Sequence, residues 1–391
     1  MLAAAAMTTL GAIPVFLLSA QSVFIREELH FAEPQLGLAV SVFFTAAALA
    51  SFLAGALVDR LGRRTGTLLS GGLTMVVALL IAVVAQSFVV LLLLLVLAGV
   101  ANAAMQMTSN LTLARSVDAG QRGLAFGVKQ SAVPTAVLLG GLAVPTVGAV
   151  VGWRWTFVAL AAAAGVVVLA GLRLPHSAAA APDRTEERDR PPKGALVVSM
   201  MAMVLASAST NSLGAFVPSW AFKVGLTPSE AGLLVAAGSA LSVLVRVLSG
   251  ALADRRRGRN LPVVSAYLVA CAVGMVVLSY DHVPALVVGT LLAFGIGWAW
   301  PGLLLFAVVR VGRDSPAAAS SVIQAGAFAG GACGPAVFGL LVAATSFESA
   351  WRWYAALTLL SAVLLVVARR MFVRDLTRRP PRTPLDTAPR Q

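Results

Sequence analysis

Acidic residues are absent from the interiors of this sequence's long apolar runs. Only 16 of 391 residues are Asp or Glu, and they lie between the runs, at their edges or near the chain ends. Two cysteines and three unclustered histidines predict neither a disulfide framework nor a metal site. No phosphate-binding loop of the Walker type occurs, which argues against ATP as an energy source. We therefore expect neither an enzyme nor a bound cofactor.

What remains is strongly apolar. Hydrophobic residues make up 59% of the chain and charged residues 12%, whereas soluble domains average about 25% charged residues. The length accommodates twelve membrane helices of about 20 residues each. The sequence predicts an all-α membrane protein with twelve transmembrane helices in two pseudo-symmetric bundles of six. The predicted spans are 3–24, 35–58, 66–86, 88–113, 122–149, 153–173, 195–222, 229–253, 261–280, 283–310, 316–343 and 351–371.

The net charge of +13 is a topology signal. Of the 29 Lys and Arg residues, 23 lie in segments on one side of a twelve-span arrangement, 4 on the other and 2 within spans. Such a bias places the basic segments, and both termini, in the cytoplasm. No folded basic domain is left for a nucleic acid. The frequent Arg and Ala suggest a bacterium with GC-rich DNA, which predicts the inner membrane.

Composition also divides the chain. We predict an N-terminal bundle at 1–174, a polar cytoplasmic linker at 175–193, a C-terminal bundle at 194–373 and a disordered tail at 374–391. The linker is rich in Ala, Pro and charge, and the tail contains four prolines.

The two halves repeat each other. We predict a short, heavily charged turn at Gly55 to Gly66, between two apolar runs, and call it the charged hinge; a second copy spans 250–259. Asp59 and Asp254 are separated by 195 residues, half of the chain. The segment Trp153-Arg154-Trp155 likewise has a counterpart in Trp351-Arg352-Trp353. Such duplication is typical of secondary transporters.

The hinge resembles the loop signature of the major facilitator superfamily, Gly-x-Leu-Ala-Asp-Arg-x-Gly-Arg-Arg. The resemblance covers the whole chain and implies a secondary transporter with alternating access. It also implies that Asp59 latches the hinge to helix 11 in one conformation only. The predicted latch residues are Gly55, Asp59, Arg60, Gly62, Arg63, Arg64, Asp254 and Arg255.

Two cations lie well inside the predicted spans, Lys129 in helix 5 and Arg246 in helix 8. Intramembrane charges are costly, so each is a functional candidate by default, with snorkelling to the surface as the alternative. Because no buried anion accompanies them, we expect the cargo to supply the negative charge. Helix 8 also resembles that of monocarboxylate and nitrate porters of this superfamily, in which an arginine at this place binds the anion.

Helix 4 contributes a polar stripe, Asn102, Gln106 and Asn110, spaced four residues apart on one face. Such a face is expected to look into the bundle, for interhelical packing or for cargo. The predicted substrate-binding residues are Lys129, Arg246, Asn102, Gln106, Gln130, Asn211, Trp298 and Gln324. We expect a monomer in the lipid bilayer that carries a small organic or inorganic anion, with protons as a candidate coupling ion.

The alternative is efflux of drugs or hydrophobic compounds by proton antiport. Many such antiporters of this family carry an arginine in helix 4, four residues before a glycine, whereas Leu95 stands there before Gly99. Efflux of cations would also predict a buried acidic residue. A membrane enzyme or a non-transporting sensor is a third alternative, which no cluster of His, Cys or carboxylates supports.

Overall fold

A computed structural model describes residues 2–114, 122–175, 192–253, 260–311 and 316–378. Within these ranges all regular structure is helical, and twelve helices are long and apolar enough to cross a membrane. The predicted all-helical fold with twelve spans is confirmed. We number these spans α1–α12 as follows: Leu2–Ala20, Glu33–Ser51, Arg60–Val84, Phe88–Asn110, Gly127–Val151, Trp153–Leu172, Lys193–Lys223, Pro228–Ala253, Asn260–Leu278, Val283–Val308, Ala319–Ala344 and Phe347–Arg378.

Several helices extend beyond these bounds or change geometry within them. A short helix, Ser22–Leu29, follows α1. Helix α4 continues to Ala114, and α11 begins at Pro316. Helix α5 is built from Arg122–Gln130, Ala132–Ala143, the π-helical Val144–Gly148 and Ala149–Val151. Helix α10 is built from Val283–Thr290, the π-helical Leu291–Ile296, the 3₁₀ turn Gly297–Ala299 and Trp300–Val311.

The charged hinge differs from its prediction as a turn. Helices α2 and α3 form one helical stretch, Glu33–Val84, interrupted only at Gly62. Gly62 has φ 75° and ψ 174°, a conformation that favours glycine because it has no Cβ. Leu and Arg, which flank Gly62, are good helix formers, so the helix resumes at once. The hinge is thus a single-residue break.

Helix α12 also differs at its end. It continues through Arg378, whereas the disordered tail was predicted to begin at 374. Residues 379–391 and most of the predicted linker lie outside the described ranges. We call the end of the bundle where α6 ends and α7 begins the linker side, and the opposite end the far side.

The N-terminal half, α1–α6, packs closely against the C-terminal half, α7–α12. A Cβ at Gly37 of α2 would lie only 2.2 Å from the Pro335 carbonyl oxygen of α11. Ser41 nearby accepts a hydrogen bond from the Ala336 N–H at 2.9 Å. On the far side, the Ser22 and Ser219 hydroxyls lie 3.0 Å apart across the same boundary. The halves are therefore in contact on the far side in this conformation.

Candidate functional site

Arg246 of α8 joins three helices at the boundary between the halves. Its side chain is buried, with 2% of its surface exposed. Nε and Nη2 donate hydrogen bonds to the Trp298 carbonyl of α10 at 3.0 and 2.5 Å. Nη1 donates to the Gln130 carbonyl of α5. The guanidinium carbon also lies 5.7 Å from the centre of the Trp298 ring. The structure thus brings together Arg246, Trp298 and Gln130, three of the predicted site residues.

These bonds engage all three nitrogens of the guanidinium group. The sequence predicted an anionic cargo as the counter-charge of Arg246, whereas the described structure offers carbonyl dipoles. Hydrogen bonds from a charged donor to carbonyl oxygens partly replace the hydration that burial removes. Arg246 can therefore remain buried in this conformation without an anion beside it.

Lys129, the second buried cation, lies on α5 with 9% of its surface exposed. Its ammonium donates a hydrogen bond to Asn110 Oδ1 at the linker-side end of α4. Asn110 itself is exposed. Lys129 is therefore tied to the predicted polar stripe.

The other two residues of the polar stripe differ in burial. Asn102 is 3% exposed, and its Oδ1 has no hydrogen-bond partner among the described residues. The α1 backbone at Gly11 passes close by, because a Cβ there would lie 3.0 Å from Asn102 Oδ1. Gln106 is half-buried. Asn102 thus presents a free acceptor inside the N-terminal half.

An aromatic cluster lies at the boundary next to Arg246. Phe16 of α1 and Trp298 have ring centres 6.4 Å apart, and Phe294 lies 5.2 Å from Trp298. Gly214 of α7 completes the contact: a Cβ there would lie 3.1 Å from Phe16 and 3.2 Å from Trp298. We refer to Phe16, Phe294 and Trp298 as the central aromatic cluster. It joins both halves through apolar surface.

Two buried hydroxyls on α8 were missed by the sequence reasoning. Ser239 and Ser242 are fully buried and have no partner among the described residues. They precede Arg246 by seven and four residues and therefore share its helix face. That spacing was available in the sequence as a signal. No comparable signal marked Phe16, because aromatic residues in apolar helices are mostly packing residues.

Two predicted site residues take no part in this arrangement. The Asn211 amide donates to Ser207 of its own helix, at 2.8 Å to the carbonyl and 3.0 Å to the hydroxyl. Gln324 of α11 is half-buried. Their assignment to a binding site stays a prediction.

The predicted latch also stays a prediction. Arg60 is exposed, while Arg63 and Arg64 are half-buried. The surroundings of Gly55 and of the Asp59 side chain, and all of Asp254 and Arg255, lie outside the described residues.

Little space exists beside Arg246 in this conformation. A cavity of about 10 Å³ lies between α5, α8 and α10, lined by Arg246, Gly127, Ser249 and Phe306 among others. That volume accommodates about one water molecule, whereas ligand sites measure about 300–1,000 Å³. This cavity is therefore too small to hold a cargo in this conformation.

Comparison with known proteins places this geometry in a family. The Major Facilitator Superfamily profile matches residues 1–324 and, in a second overlapping match, 199–391. The chain is also 29% identical over 342 residues to the "Chloramphenicol resistance protein" of Streptomyces lividans, covering 85% of this chain and 86% of that protein. With a family match over its whole length and twelve membrane-spanning helices, the chain belongs to the Major Facilitator Superfamily of transporters.

Proposed function

We propose that this transporter exports small, uncharged, amphiphilic compounds of which chloramphenicol is an example, by proton antiport across the bacterial inner membrane. The observation that carries the proposal is the engagement of Arg246. All three of its guanidinium nitrogens donate to the carbonyls of Trp298 and Gln130. The charge that suggested an anionic cargo therefore already has partners within the protein.

The surface around Arg246 suits an aromatic amphiphile. The central aromatic cluster offers ring faces and edges, which pack against a planar ring. Ser239 and Ser242, on the same face of α8 as Arg246, add buried hydroxyls with no partner in the described structure, and Asn102 offers a further free acceptor in the N-terminal half. Ligand sites typically combine apolar walls with a few such polar groups. A neutral ring-containing molecule with hydroxyl or amide groups matches both features once the halves separate.

The name of the relative supports the same class of cargo and the same direction of transport, which is export from the cell. The relative aligns over most of both chains, so the likeness extends across the two halves and is not limited to the charged hinges. Resistance to an antibiotic that acts inside the cell is what an exporter would provide. The frequent Arg and Ala support a bacterial inner membrane, and the basic bias of the segments on one side supports cytoplasmic termini.

The test is accumulation of labelled chloramphenicol in a drug-sensitive bacterial strain that lacks its own efflux pumps. Cells that express the protein should accumulate several-fold less drug, and a protonophore should abolish the difference. Trp298→Ala should restore accumulation, because it removes the ring but leaves the main-chain carbonyl that Arg246 binds. Trp353→Ala is the matched control, since Trp353 is 62% exposed on the bundle surface.

The anion hypothesis is tested in parallel. Proteoliposomes should show no protein-dependent uptake of small carboxylates or nitrate above that of empty vesicles. Saturable uptake of such an anion, lost in Arg246→Ala, together with unchanged drug accumulation in cells, would reject the export proposal in favour of an anion carrier.

A further inference from the structure

The hydrogen bond from Arg246 to Gln130 crosses between the two halves of the transporter. Arg246 belongs to α8 in the C-terminal half, and Gln130 belongs to α5 in the N-terminal half. Its other two nitrogens bind Trp298, which lies in the same half as Arg246. One side chain is therefore anchored in one half and reaches into the other through Nη1.

The Gln130 carbonyl, which accepts this bond, has no donor within its own helix because of the residue four positions later. In an α-helix the carbonyl of residue i accepts from the N–H of residue i+4, and the residue four positions after Gln130 is Pro134. Proline has no N–H. The neighbouring bonds are intact, because Ser131 donates to Gly127 at 3.0 Å and Thr135 donates to Ser131 at 2.9 Å. Pro134 thus removes the helical donor of Gln130 alone, and a guanidinium from the other half takes its place.

The bond lies in the linker-side half of the bundle. Gln130 is three residues from the linker-side start of α5, and Arg246 is seven residues from the linker-side end of α8. The backbones are close there, since a Cβ at Gly127 would lie 2.9 Å from the Arg246 carbonyl oxygen. Separation of the halves on the linker side must break the Arg246–Gln130 bond, while the Ser22–Ser219 contact on the far side can persist.

We propose that Arg246 and Pro134 form a releasable lock between the halves, in which Pro134 frees the Gln130 carbonyl and Arg246 binds it to keep the linker side closed. A charge-assisted bond in a dry environment is strong enough to bias a two-state equilibrium. Because the lock uses one side chain and one carbonyl, it can open without disrupting either helix. The inference goes beyond the proposed function, since it holds for any cargo.

The experiment measures opening directly and needs no cargo. In a background of Cys271→Ala and Cys333→Ser, one reporter is Ala253→Cys on the linker side, where Ala253 is buried and shares the small cavity with Gly127. The other is Ser219→Cys on the far side, where Ser219 is 6% exposed against Ser22. The rate of maleimide labelling is measured for each reporter in lipid nanodiscs, which expose both sides to the reagent.

Arg246→Met should raise labelling at 253 about tenfold and leave labelling at 219 unchanged or lower. Arg246→Lys should give an intermediate rise, because an ammonium is a point donor that cannot bridge both carbonyls as the guanidinium does. Pro134→Ala should raise labelling at 253 several-fold with the arginine intact, because the restored N–H competes for the Gln130 carbonyl. Arg154→Met is the matched control, since Arg154 bonds only within its own half, to Glu28 and the Ala85 carbonyl.

Unchanged labelling at 253 in Arg246→Met and Pro134→Ala would overturn the lock. An equal rise in the labelling rate at both reporters would also overturn the lock. The substitutions would then loosen the whole protein and would not open the linker side alone. A rise in Arg246→Met without one in Pro134→Ala would reject the part assigned to the proline. If labelling shifts as expected but chloramphenicol is not exported, the lock stands and only the proposed function fails.

Discussion

Trp153 Nε1 donates a hydrogen bond to Glu28 Oε2 at 2.6 Å, whereas the indole N–H of its counterpart Trp351 is buried without a partner among the described residues. The sequence repeat relates the two tryptophans, which begin α6 and lie near the start of α12. Glu28 follows α1 and also pairs with Arg154. The N-terminal half thus has a bonded tryptophan where the C-terminal half has an unsatisfied one.

Replacing each tryptophan in turn by Phe should change the stability of the protein by different amounts. Both indoles are buried, so both substitutions leave a similar cavity. Trp153→Phe also loses a bond to a carboxylate, and Trp351→Phe removes an unsatisfied buried donor. We expect Trp153→Phe to be the more destabilising substitution by about 2 kcal/mol. The lost hydrogen bond of Trp153 and the removal of the unsatisfied donor of Trp351 each contribute about 1 kcal/mol to this difference. Thermal unfolding of the purified protein in detergent measures the difference. A lower melting temperature for Trp351→Phe than for Trp153→Phe would contradict the difference in hydrogen bonding between the two indoles.

The Glu28 cluster also predicts a pH dependence. Partial burial opposes ionisation of Glu28, but hydrogen bonds from Trp153 and Arg154 outweigh it and lower its pKa below the ordinary 4.5. A lowered folded-state pKa gives stability that is present above the ordinary pKa and lost as the pH falls through the lowered value. Glu28→Gln should therefore melt below the parent at pH 7, and the gap should narrow below about pH 4.

Glu27→Gln is the control for this experiment, because Glu27 is the exposed neighbour on the same short helix. It should melt at the same temperature as the parent protein at pH 7. A gap between the parent and Glu28→Gln that stays constant from pH 7 to pH 3.5 would show that the charge of Glu28 has no part in the effect.

The sequence predicted the spans well, because length and hydropathy report directly on the surrounding lipid. It predicted the Arg246 site only in part. Acidic side chains were the only partners within the protein that the sequence suggested for Arg246. In the structure its partners are the carbonyls of Trp298 and Gln130. Main-chain acceptors are present at every residue, so only the rotation and packing of the helices decide which of them a buried arginine meets.

The charged hinge shows a second limit. A polar, glycine-containing stretch between apolar runs resembles a turn, yet the helix continues through it with one break at Gly62. The Leu and Arg residues of the hinge favour a helix, and charged residues are stable where a helix leaves the membrane for water. The same composition therefore also fits a long helix that projects from the bundle. Local composition does not distinguish that case from a turn.

The close approach of α2 and α11 predicts a sharp difference between two glycines. Gly37→Ala places a Cβ at 2.2 Å from the Pro335 carbonyl oxygen, which forces the halves apart there. The cost should be about 1–3 kcal/mol or more. Gly72→Ala has no heavy atom within 4 Å of its Cβ and lies within a helix, so it should stabilise the protein by up to about 1 kcal/mol. Thermal unfolding measures both, and equal melting temperatures would contradict the packing.

The proposed proton antiport leads to a prediction for Lys129. Proton antiport needs a group that binds and releases a proton in each cycle. Among the two charges deep in the described spans, Arg246 is held by two carbonyls, whereas Lys129 bonds an amide oxygen of Asn110. Lys129→Gln should therefore retain exchange of labelled for unlabelled chloramphenicol in proteoliposomes but lose its stimulation by a proton gradient.

Lys223→Gln serves as the control for Lys129→Gln. Lys223 ends α7 on the far side, where its ammonium lies 5.8 Å from the Trp220 ring centre. The control should respond to the gradient as the parent does. Gradient-driven transport that survives in Lys129→Gln would assign the coupling proton to another group, whereas loss of exchange as well would show that Lys129 is needed for transport itself.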